Sequence, residues 1–239
     1  MSEWVQKRFW QHATAVQAGP GAWNIELDGR QVRTPAKASL VLPNGALARS
    51  VAEEWAAQAD EIDPISMPCT RSANAAIDKV STQFEEVAGL ICEYGNTDLL
   101  CYRADGPEGL IQRQAEAWDP LLDWAASGLG APLAMTTGVI HIAQPANSLE
   151  ALRARVTALS PFELTAMNDL VMLSGSLIIG LAVSHDVLPA EELWNRSRVD
   201  ETWQEEQWGS DEEATAMASQ KRSDFLHAYR FLCMCRESD

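Results

Sequence analysis

The stretch WQEEQWGSDEEA, Trp203 to Ala214, sets two adjacent glutamates between tryptophans and adds three more acids after a glycine. Paired carboxylates can share a proton as an acid/base dyad, ligate a cation, or receive a cationic group from a partner. Helical phase separates the two glutamates. At about 100° per residue, Val199, Trp203 and Glu206 fall on one face, at i, i+4 and i+7. Glu201 and Glu205 share another face, where like charges at i, i+4 favour solvent. Glu206, set beside apolar residues, needs a hydrogen-bond donor, a cationic partner or a raised pKa. Three uses stay open for it: a structural salt bridge, a contact to a partner, or a carboxylate-based hydrolase site with Asp98 or Asp119. A metal site fits poorly, because the surrounding acids lack calcium-loop spacing. Gly209 is expected to end that helix, and Ser210 or Asp211 to cap the next.

Other chemistry is missing from the sequence. There is no GxxxxGK[ST], no GxGxxG after a strand, no HExxH and no GxSxG. His12, His141, His185 and His227 lie far apart, without a second ligand at helical spacing. The five cysteines, Cys69, Cys92, Cys101, Cys233 and Cys235, contain no CxxC. They read as reduced thiols of a cytoplasm-like compartment, with neither zinc nor disulfide. No catalytic residue, cofactor or metal is therefore assigned.

The 239 residues suffice for one large domain or two small ones. A formal net charge of −16 argues against nucleic acid or an anionic membrane surface as the main partner, and permits a basic one. The start MSEWVQKRFW has neither an apolar signal core nor transit-peptide composition. The most apolar run, VMLSGSLIIGLAV with its flanks, is shorter than the roughly 20 residues of a membrane span and reads as a buried helix.

These residues must be positioned by an α+β chain, β-rich at the N-terminus and mostly helical after it. Trp23 to Leu27 alternates, Asp28-Gly29 marks a hairpin turn, and Gln31 to Thr34 continues. Ser39 to Leu42 is another short strand. From Ala46 the period turns helical, with Leu47, Val51, Trp55 and Gln58 on one stripe. The prolines of IDPISMPCT suggest a boundary between residues 1–68, β-rich with one helix, and 69–239, mainly helical. Helices are expected at Asn74 to Tyr94, from Pro107 to Gly128, at about Leu149 to Leu159, at Pro161 to Ser184, at Pro189 to Trp208, and at Glu212 to Cys235. The β-branched LAMTTGVIHI reads as one strand.

In order along the chain stand Arg8-Phe9-Trp10, Leu27-Asp28-Gly29-Arg30 with Thr34-Pro35, and Leu42-Pro43. Glu54-Trp55-Ala56-Ala57-Gln58, Met67-Pro68-Cys69-Thr70 and Ile77-Asp78 follow. Then come Tyr94, Thr97-Asp98-Leu99-Leu100-Cys101-Tyr102-Arg103, Gln114 with Trp118-Asp119-Pro120, and finally Gln204, Glu206 and Trp208-Gly209. Together these segments, from about Arg8 to Tyr229, resemble the F1-ATPase assembly chaperones that attend the α subunit of ATP synthase. The resemblance implies a non-catalytic protein, with a β-rich part followed by a helical part. It would bind the unassembled α subunit and shield the surface later buried against the β subunit. The family occurs in mitochondria and α-proteobacteria, so a bacterial cytoplasmic member, or a mature form in the mitochondrial matrix, fits this sequence. The resemblance also carries a functionally sensitive glutamate onto Glu206. Glu205 is a departure, since the family often has an apolar residue there.

A chaperone without ATPase chemistry works by mass action: it covers an aggregation-prone patch and yields to the tighter native partner. Nine tryptophans against three tyrosines and five phenylalanines supply candidate anchors, most of them expected in the core. Glu206, Trp203, Trp208 and Gln204 are the candidate partner-binding residues. A structural subunit of a larger complex is the remaining alternative.

Overall fold

A computed structural model describes residues 7–238 of the chain. The first residues of the MSEWVQKRFW stretch, 1–6, lie outside them. The chain divides into two compact units. One comprises residues 7–84, 160–165 and 230–238; the other comprises 85–159 and 166–229.

The first unit is built on a four-stranded sheet. Its strands are β1 (Ala13–Gly19), β2 (Ala22–Leu27), β3 (Arg30–Gln31) and β4 (Val41–Leu42). β2 pairs antiparallel with all three others, in register Ala15↔Ile25, Leu27↔Arg30 and Trp23↔Leu42. The β2–β3 turn is Asp28-Gly29, with φ of 48° and 79°, the left-handed pair that a tight hairpin requires. Ile25, Leu27, Leu40 and Leu42 are buried, as are Leu47 and Val51 of α1 (Gly45–Ala56), which packs on the sheet.

The segments that carried the family resemblance hold this unit together. Glu54 accepts from the Cys69 and Thr70 amides at 2.6 and 2.8 Å and from the Thr70 hydroxyl at 2.7 Å, fixing the start of α2 (Pro68–Ala75). Asp78 accepts from the Thr34 hydroxyl at 2.6 Å and the Ala36 amide at 3.0 Å. The Trp10 indole donates to the Trp55 carbonyl at 3.2 Å. The distant chain segments join through Asn44, whose amide group caps α1 and donates to the Met234 carbonyl at 2.7 Å, and through an Arg236–Glu163 ion pair at 2.8 Å.

The second unit is helical. It contains α3 (Phe84–Glu93) from residue 85 onward, α4 (Glu108–Gly128) and α5 (Ala146–Thr157). It also holds α7 (Leu177–Ser184), α8 (Ala190–Arg196), α9 (Val199–Trp208) and most of α6 (Pro161–Ser174) and α10 (Glu212–Arg236). Every residue of α7 is buried, as expected of a helix apolar all round. Among the described residues no helix is long and apolar enough to cross a membrane.

Several expectations are revised. The helix expected at Asn74–Tyr94 is divided: α2 passes into a π-helical turn at Ala76–Val80, and residues 81–83 break the helix before α3. The Pro161–Ser184 helix is broken at Gly175, whose φ of 72° suits glycine, and Ser176 caps α7. The Pro189–Trp208 helix is interrupted at Ser197 and Arg198 between α8 and α9. Of LAMTTGVIHI only β6 (Thr136–Thr137) is paired, in parallel with β5 (Tyr102–Arg103), and Val139 is 95% exposed. The tryptophans are also less buried than expected. Trp10, Trp118 and Trp194 lie in the core, whereas Trp203 is half-buried and Trp208 exposed.

Candidate functional site

α8 and α9 are held against α4 by polar bonds. Gln114 donates to Asp200 in the first turn of α9 at 2.7 Å, and itself accepts from the Ala104 amide at 2.8 Å. The Trp118 indole donates to the Arg196 carbonyl at 2.7 Å, and the Arg196 guanidinium to the Ala117 carbonyl at 2.8 Å. Asp200 and Glu201 in the first turn complement the helix dipole. The helix ends at Gly209, with φ of 89° and its amide donating to the Glu205 carbonyl at 2.9 Å. Asp211 then accepts from the Ala214 amide at 2.8 Å and caps α10.

The four candidate residues take distinct places on α9. Trp203 lies on α4, so close to Gly109 that a Cβ there would stand 2.8 Å from the Trp203 Cη2. The Arg113 guanidinium sits over the indole, 4.8 Å from the ring centroid. Glu206 pairs with that same Arg113 at 2.7 Å, with the two side chains 45% and 43% exposed. Gln204 and Glu205 are exposed, and Trp208 is 80% exposed. Glu201 pairs with Arg198 at 2.6 Å. Beside this array a shallow cleft of about 460 Å³ runs between α4, α8 and α9, lined by residues that include Arg113, Glu116, Glu192, Asn195 and Val199.

The other carboxylates considered for an acid/base site are bound elsewhere. Asp98 is fully buried and accepts from the Ser176 hydroxyl at 2.7 Å, the Ile178 amide at 3.0 Å and the Leu100 amide at 3.1 Å. Burial pushes it up to about 6, against the pull of those hydrogen bonds. Asp119 pairs with Arg103 at 2.8 Å. Asp98, Asp119 and Glu206 thus each hold a separate partner, none of them another carboxylate of the set. His141 bonds the Tyr102 hydroxyl at 3.1 Å, and His185 bonds the Leu181 carbonyl at 2.9 Å. Among the described residues no group of three or more histidines, cysteines or acids is placed to hold a metal ion.

The cationic side of the site was not read from the sequence. Gly109, Arg113 and Ala117 follow at i, i+4 and i+8, a single stripe of α4. That spacing was visible; what α4 faces was not.

The chain is similar to known proteins along most of its length. The family described as ATP12 chaperone protein matches residues 7–126. The crystal structure of Atp12 from Paracoccus denitrificans is 50% identical, covers 98% of this chain and 100% of its own, and superimposes with a TM-score of 0.94. A point mutant of the same bacterial protein gives 0.95 at the same identity. The Atu1473 protein of Agrobacterium tumefaciens is 39% identical over 95% of this chain and 85% of its own, with a TM-score of 0.91. Among curated proteins, mitochondrial atp12 of Schizosaccharomyces pombe is 26% identical, over 97% of this chain and 83% of its own.

Proposed function

This chain belongs to the ATP12 chaperone family, and from that premise we propose that it is an assembly chaperone of ATP synthase that binds the unassembled α subunit of F1-ATPase. It shields the α surface that is later buried against the β subunit, and releases α when β competes. The mechanism is mass action, with no covalent step: the chaperone lowers the free concentration of an aggregation-prone subunit until a tighter partner takes it. The bacterial cytoplasm or the mitochondrial matrix is the compartment of this activity.

The observation that carries the reading is Trp208, a large aromatic left 80% exposed two residues beyond Glu206 of the ordered Trp203–Arg113–Glu206 array. Tryptophan is a common anchor of protein interfaces, and its exposure contributes nothing to a folded core. Trp203, Gln204, Glu206 and Trp208, all on α9, make up the partner site, with Trp208 as its exposed anchor. The formal charge of −16 favours encounter with a basic surface.

The test uses Trp208→Ala. Its far-ultraviolet circular dichroism and melting midpoint should match those of the parent protein. Its affinity for isolated α subunit, by biolayer interferometry, should fall about thirtyfold, the loss that marks a truncated hot spot. Unchanged affinity would remove α9 from the partner face.

A further inference from the structure

The Arg113–Glu206 pair is exposed, and an exposed ion pair adds little to folding. Its arrangement is nevertheless specific. Gly109 leaves room beneath the Trp203 indole, where a Cβ would stand 2.8 Å from the ring. The Arg113 guanidinium covers the ring from 4.8 Å, and Glu206 holds that guanidinium from one turn further along α9. Gln114, next to Arg113, anchors α4 to Asp200 and so fixes the distance the pair must span. A half-buried tryptophan held between a glycine and an arginine has lost its rotamer freedom before any partner arrives. Such preorganisation lowers the entropic cost of binding.

We infer that Arg113 is a positioning residue of the partner site, and that Glu206 acts on partner binding through Arg113 and Trp203 rather than by touching the partner itself. This rests on the α-subunit reading above. Glu206 orients the guanidinium, the guanidinium orients the indole, and the ordered indole fixes α9, the helix that carries the exposed Trp208. Arg113 contributes its charge to the stack, so the face needs a cation at position 113 and an anion at position 206.

A double-mutant cycle with purified F1 α subunit separates direct from relayed action. Glu206→Gln and Arg113→Met should each weaken binding about tenfold, and the double variant should also weaken it about tenfold, because either change releases the same indole. Independent contacts would instead multiply to about a hundredfold, and that result overturns the relay. Arg113→Lys keeps a cation over the ring and should retain most of the affinity. If Arg113→Met fails to fold, Arg113→Lys decides in its place: parental affinity supports the relay, and loss as severe as that of Glu206→Gln overturns it. If the single variants bind like the parent, the relay is wrong and the α-subunit reading stands. If the parent protein does not bind α at all, that reading itself has failed.

Discussion

The Ser176 hydroxyl donates to the Asp98 carboxylate at 2.7 Å inside the helical unit, where neither residue touches solvent. Asp98 thereby joins the turn before β5 to the start of α7, and its second oxygen takes the Ile178 amide. Removing the carboxylate strands donors with no water to replace it. Asp98→Ala should cost about 3 kcal/mol in chemical denaturation, the scale for losing hydrogen bonds to a buried charged acceptor.

The same carboxylate gives a pH dependence of known sign. Burial raises it from 3.8 to about 6, so the folded state holds a proton that the unfolded chain has already released. The stability this contributes is fully present below pH 4 and is lost as pH rises through about 6. Urea midpoints measured from pH 4 to 7 should show that fall in the parent, and Asp98→Asn should flatten it. An identical slope in both would assign the titration to another group.

Glu54 is the corresponding fastener of the sheet-bearing unit. It accepts three hydrogen bonds at the start of α2, from residues 15 and 16 positions along the chain. Glu54→Ala should cost about 2 kcal/mol, and so lower the melting midpoint by about 4–8 °C, in differential scanning calorimetry.

These two acids show what was legible. Both lie in the segments that suggested the family, and the structure assigns both to scaffolding. The Asp28-Gly29 hairpin was legible because a tight turn needs left-handed backbone at two adjacent positions, and few residue pairs provide it. Val199, Trp203 and Glu206 do fall within α9, but the apolar setting expected for Glu206 is not found: its side chain is 45% exposed, like the 44% of Glu201, and each is ion-paired with an arginine. LAMTTGVIHI was misread because alternation marks a strand only where another strand is available. Here just Thr136 and Thr137 find one, and Ile140 stays 79% exposed. The break at Ser197 was hidden for a related reason. Its hydroxyl donates to the Trp194 carbonyl at 2.6 Å, a local bond that competes with helix continuation. Arg113 was missed because its two partners, Trp203 and Glu206, come from a distant helix.

Gly109→Ala separates binding from stability. Alanine is the better helix former by about 1 kcal/mol, so the fold should not weaken greatly. Its methyl group displaces the Trp203 indole, and affinity for the partner should fall. Calorimetry alongside interferometry on the one variant reads both effects.

The thiols should differ sharply in reactivity. Cys69 and Cys101 are buried, and burial pushes them up to about 11 and about 12. Cys233 is exposed. Iodoacetamide at pH 8 should label Cys233 first in the native protein, and all five cysteines only after denaturation, as read by intact mass.

Selective capture of one F1 subunit is the most direct test. The chain should be co-expressed with F1 α alone and, separately, with F1 β alone, and each mixture resolved by size exclusion with light scattering. A stoichiometric complex with α, dissolved when β is added, is the predicted result. Folded α and folded chaperone eluting apart, or equal retention of β, would contradict it.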